Sequence, residues 1–68
     1  MPYVRIEITD EGVADDRKAE VIAGVTDLLQ RILGKDPATT FVVIDEVPLA
    51  NWGIGGVPVE EWRTRRRA

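Results

Sequence analysis

Apolar and polar positions alternate along the start of the chain: Val4, Ile6 and Ile8 fall on one side, Tyr3, Arg5, Glu7 and Thr9 on the other. A period of two over this length predicts a strand with one dry face. Asp10, Glu11 and Gly12 break the pattern, and the period then changes. Val21, Ile22, Val25, Leu28, Leu29, Ile32 and Leu33 recur at helical spacing, which predicts a helix running to about Leu33. Asp15 or Asp16 is placed to cap it and to favour the positive end of its dipole. Gly34 supplies a left-handed stop, and Pro37 prevents continuation. From Thr39 to Val47 the run TTFVVIDEV is rich in β-branched residues and predicts a second strand. Strand, helix and strand at these lengths form a βαβ unit with parallel strands and a right-handed crossover. After Pro48, LANWGIGGVPVEEW mixes glycine and proline with apolar residues, as in a tight hairpin reaching over a neighbouring subunit. The closing RTRRRA reads as a solvated basic tail. The expected fold is α/β, a single βαβ unit plus a C-terminal β-hairpin, in one domain spanning residues 1–68.

Size sharpens this picture. The chain has 68 residues, 44% of them hydrophobic and 31% charged, a globular composition whose core is too small to be strongly stabilising alone. One helix covers one face of a two-stranded sheet, so a partner chain is expected to complete the sheet and bury the rest. There is no cysteine and no histidine. Disulfides, thiol nucleophiles, imidazole bases and histidine-held zinc are thereby excluded. The formal charge of −3 argues against nucleic acid as a partner. No apolar run reaches bilayer length, and the N-terminus lacks the order of a signal peptide, so no membrane is expected and the cytoplasm is the default compartment.

Candidate chemistry begins with Pro2. A proline is tolerated at the first residue of a strand simply because it lacks a backbone donor. If Met1 is removed, the same residue becomes an N-terminal secondary amine able to act as acid, base or nucleophile. With Met1 attached its nitrogen is an amide without a basic lone pair. GIGG, at residues 53–56, is not expected to be a phosphate loop, because it precedes neither a second glycine-rich turn with lysine nor a helix.

A Met-Pro start on a strand, a βαβ unit of this size and a late NWGIGG together resemble the 4-oxalocrotonate tautomerase family of the tautomerase superfamily, over nearly the whole chain. The resemblance implies a small homohexamer built as a trimer of dimers. It implies no cofactor and no metal, with a small enol or keto acid as substrate. The freed Pro2 would move a proton within that substrate. Trp52 matches a position where the family commonly has an aromatic residue lining the proline's pocket, with an interface-packing role equally expected. Phe41 and Ile54 would extend that apolar wall, and Thr39 matches a small hydroxyl residue that helps place substrate, its alternative being a cap of the second strand.

This sequence also departs from the pattern. Members acting on dicarboxylates carry one arginine in the loop after the first strand and another early in the second. Alignment on the first strand and on GIGG puts these positions at Val13 and Phe41, both neutral. A neutral side chain neither pairs with a carboxylate nor polarises a carbonyl. The expected substrate is therefore a less charged enol, of the phenylenolpyruvate kind. Replacement cations are sought in Arg5, on the strand face away from the helix, and in Arg63, Arg65, Arg66 and Arg67. For Arg5 the competing expectation is an ion pair with Glu7 or Asp45, and for Arg17 a pair with an acidic neighbour. Two alternatives stay open: a hydratase or decarboxylase acting on unsaturated acids, and a catalytically silent oligomer that binds a small ligand.

Overall fold

The computed structural model describes residues 1–67, with side chains as far as Arg66. Its elements in chain order are β1 (Tyr3–Thr9), α1 (Asp15–Leu33), β2 (Phe41–Val47), β3 (Gly53–Ile54), β4 (Val57–Pro58) and α2 (Val59–Arg67), with single 3-10 turns at Pro37–Thr39 and Leu49–Asn51. β1 and β2 are parallel and in continuous register from Tyr3 opposite Phe41 to Thr9 opposite Val47. The predicted βαβ unit is therefore present.

The ends of its elements follow local chemistry. α1 is capped by Ala14 without a side-chain bond, and Asp15 and Asp16 sit one step later, in the first turn. There their charges still favour the positive end of the helix. At the other end Gly34 adopts φ 67° and its N–H donates to Gln30 O at 3.0 Å, while Lys35 N–H donates to Leu29 O at 3.3 Å, a glycine-dependent termination. The second strand starts at Phe41 rather than Thr39. Asp36 captures the intervening residues, its carboxylate accepting from Ala38 N–H at 2.9 Å and its carbonyl from the Thr40 hydroxyl at 2.8 Å, and this turn competes with strand geometry.

The C-terminal segment is a hairpin followed by a helix. Ile54 pairs with Val57 across a two-residue turn in which Gly55 (φ 61°) and Gly56 (φ 85°) are both left-handed, the requirement of a tight type I′ turn. The basic end is solvated as expected at Thr64, Arg65 and Arg66 but is helical and not a tail, and it extends after GIGG as a helix where none was expected; the Arg67 side chain and Ala68 lie outside the described residues. Val59–Arg67 is helical, with Glu60 and Glu61 in its first turn and Arg65 reaching back to Glu61 at 2.7 Å, so Arg65 of the basic run has a carboxylate partner one turn away.

Packing within one chain is sparse. α1 lies over the face of Val4, Ile6, Ile8, Val42 and Ile44, where all five are half-buried. Only Val59 is buried among the described residues. Val21, Ile22, Leu28, Ile32 and Leu33 of α1 stay exposed, as do Tyr3, Phe41 and Val43 on the open sheet face. The radius of gyration is 15.7 Å and the extents are 47 × 23 × 18 Å, against about 11 Å for the radius of a compact chain of this length. The single chain is an elongated piece with two apolar faces uncovered.

Candidate active site

Pro2 precedes β1, and its carbonyl accepts the N–H of Phe41 at 2.9 Å. This bond fixes the N-terminal residue to the first residue of β2. Pro2 is half-buried, and Phe41 lies on the open face opposite Tyr3 with half its surface exposed. Thr39, in the turn that delivers the chain to β2, donates its hydroxyl to Asp36 O at 3.4 Å. Pro2, Thr39 and Phe41 thus gather at the amino end of the sheet.

Trp52 and Ile54 lie at the other end. β2 has seven residues and, at the usual strand rise, carries the chain about 20 Å from Phe41 before the hairpin begins. Trp52 N–H donates to Leu49 O at 3.2 Å and Trp52 O accepts from Val59 N–H at 2.8 Å, which folds the arm on itself. Arg63 of α2 then pairs with Glu11, just beyond the carboxyl end of β1, at 2.5 Å. The arm is held at the end of the sheet remote from Pro2. One chain consequently brings together half of the residues singled out from sequence, and no pocket forms among its described residues.

Arg5 is engaged as an ion-pair partner. Its Nη2 donates to Asp45 at 2.6 Å and its Nε to Glu7 at 3.1 Å. Glu7 and Asp45 are directly opposite in register, so Arg5 relieves a like-charge contact across the strands. Its guanidinium is pushed up from its ordinary range, first by the hydrogen bond to Glu7. Several other cations are similarly occupied. Arg17 meets Glu20 at 3.4 Å, Arg31 meets Asp27 at 2.8 Å, and Lys18 contacts both Asp15 and Glu46. Arg66 lies over the ring of Trp62, 5.2 Å from its centroid. Glu46 is thereby a charge partner of Lys18 beneath α1.

Sequence reasoning missed the Glu11 cluster. Glu11 accepts from both guanidinium nitrogens of Arg63, at 2.5 and 3.2 Å, and from the Thr9 hydroxyl. Arg63 above all, and then Thr9, hold its carboxyl down at about 2, well below the usual range. The signal available was the Glu-Glu then Arg-Arg order of residues 60–66, which reads as a short helix once the dipole is considered. Nothing in it named Glu11 as a partner 52 positions away.

Comparison with known proteins supplies the context. The family model described as "Tautomerase enzyme" matches residues 2–61. A probable tautomerase K2 from Dickeya dadantii is 59% identical over 63 residues, covering 93% of this chain and 94% of the relative. The 2-hydroxymuconate tautomerase of Comamonas testosteroni is 39% identical over 61 residues, covering 90% and 95%. Among solved structures, DmpI from Helicobacter pylori superposes with a TM-score of 0.86 at 37% identity, covering 93% of this chain and 97% of that one. A heterohexamer 4-oxalocrotonate tautomerase from Chloroflexus aurantiacus gives 0.81 at 26% identity, covering 90% and 97%.

Proposed function

The chain belongs to the tautomerase family and is an isomerase of that kind, and from this premise we propose that Pro2, freed by loss of Met1, is its base, in a site completed by a second copy's Trp52 and Ile54. The observation that carries this reading is the separation within one chain. Pro2 is tied to Phe41 at one end of the sheet, while the hairpin bearing the apolar wall is tied down at the other. An oligomer that lays the arm of one copy over the amino end of a neighbour's sheet brings these parts together and covers the two exposed apolar faces.

Chemically, a free proline amine has a reference pKa near about 8, and an apolar wall disfavours its charged form and lowers that value toward neutrality. The neutral amine accepts the proton leaving the enol and returns it to carbon, so the substrate changes isomer and the amine ends as it began. The Phe41 backbone bond fixes the residue, Thr39 is available to orient substrate, and Trp52 and Ile54 exclude water.

The substrate class follows from charge. Val13 and Phe41 put neutral groups where dicarboxylate-acting members have arginine, and Arg5 and Arg63 are already engaged with carboxylates. A monoanionic enol such as phenylenolpyruvate suits this site better than 2-hydroxymuconate. The assembly is proposed to be a homohexamer. The test is intact mass, then turnover, of protein from the unmodified coding sequence. Loss of one methionine together with faster turnover of phenylenolpyruvate is the expected result. Retention of Met1 removes the base, and comparable turnover of both substrates overturns the substrate class.

A further inference from the structure

We propose that the Arg63–Glu11 ion pair is a strut that sets the position of the C-terminal arm, making Glu11 and Arg63 positioning residues for the site to which that arm contributes. This rests on reading Trp52 as part of a neighbour's Pro2 site. The connection is short. Glu11 stands in the loop after β1, and the Thr9 hydroxyl donates to its carboxylate, so the anion is anchored to the strand before it meets the arm. Arg63 approaches with two parallel donors, at 2.5 and 3.2 Å, and a forked contact fixes direction as well as distance.

From Arg63 the path runs one turn back along α2 to Val59, the one buried residue among those described. Val59 N–H holds the carbonyl of Trp52 at 2.8 Å. On the same helix Trp62 closes against the hairpin turn, so that a side chain added at Gly55 would meet its ring at 3.5 Å. Helix, turn and Trp52 therefore move as one block. β3, β4 and α2 pack on one another and on the 3-10 turn at Leu49–Asn51. The ion pair ties this block to the β1–α1 loop.

Both partners are half-exposed, so the strut adjusts position and does not hold the fold together. Its loss is read as weaker substrate binding with the chemical step intact. The experiment compares wild type with Glu11→Gln, Arg63→Met and the charge-reversed double Glu11→Arg/Arg63→Glu, measuring kcat and KM on phenylenolpyruvate and assembly mass by light scattering. Each single variant is expected to raise KM about fivefold with kcat and assembly mass little changed, and the reversed pair to recover most of that loss. Unchanged KM in the single variants overturns the strut. So does a rise in Arg63→Met alone, since Arg63 would then act on substrate directly.

A second readout is independent of activity and of the reversed pair's folding. Trypsin cleavage within α2 should be several-fold faster in Glu11→Gln than in wild type, because an undocked helix opens more readily. Equal cleavage rates overturn the strut. If wild type shows no Pro2-dependent turnover, the reading of the site fails, and trypsin alone then decides whether the arm is held by this pair.

Discussion

A secondary amine at the chain terminus works as a base only in its neutral form, so the residues around Pro2 matter through what they do to its charge. kcat/KM should rise with pH through a single ionisation below the reference value of about 8 and then level off. Trp52→Ala, which admits water beside the amine, should shift that ionisation upward and lower the rate at neutral pH, as a pH–rate profile would record. Restoring a cation tests the substrate reading from the opposite direction. Phe41→Arg should improve kcat/KM on 2-hydroxymuconate by about tenfold or more, since a charge-assisted bond to the second carboxylate is regained. Glu11 carries a separate pH signature. Its carboxyl is lowered from 4.5 to about 2 by Arg63 and Thr9, so the stability it contributes is complete above about pH 5 and is lost as pH falls toward 2. Thermal melts of Glu11→Gln should show a flatter pH dependence than wild type in that acid window, and equal slopes would contradict the assignment.

The elements show which physics a sequence exposes. β1, α1 and β2 were readable because each has enough residues for its period to repeat and Gly34 and Pro37 punctuate them. Ala14 in place of an aspartate at the cap moved a boundary by one residue, and the Asp36 turn moved another by two. α2 was hidden for different reasons. It has nine residues, begins directly after Pro58, and ends in arginines that resemble a solvated tail until Glu11, Glu61 and Trp62 are seen beside them. Its partners are set by tertiary approach, which no local period encodes. Gly34 gives the clearest test at this scale. Gly34→Ala should cost about 1 kcal/mol, because φ 67° is unfavourable for a residue with a Cβ; chemical denaturation would measure it.

At the level of the whole molecule, the single chain leaves much apolar surface uncovered. Its surface is 5104 Å², where a compact protein of this mass exposes about 4,300 Å². The excess belongs to an arm projecting beyond the sheet and to apolar faces on α1 and on the open side of β1 and β2. Hence only half of the candidate site was recoverable as a cluster in one chain: Pro2, Thr39 and Phe41 gather at one end of the sheet, while Trp52 and Ile54 lie with the hairpin at the other, and their place in the site rests on the proposed assembly. Val43→Asp places a charge on the open face next to Phe41, where Val43 is 39% exposed in the single chain. It should shift the assembly to smaller species and lower its melting temperature, as light scattering and calorimetry would show.

The most direct test of the account is kcat/KM for phenylenolpyruvate in Pro2→Ala relative to wild type, on protein that has lost Met1. Removal of the proline base should lower it by about a hundredfold or more with the assembly intact. A variant that retains most of the wild-type rate would contradict the assignment of Pro2 as the proton-transferring group.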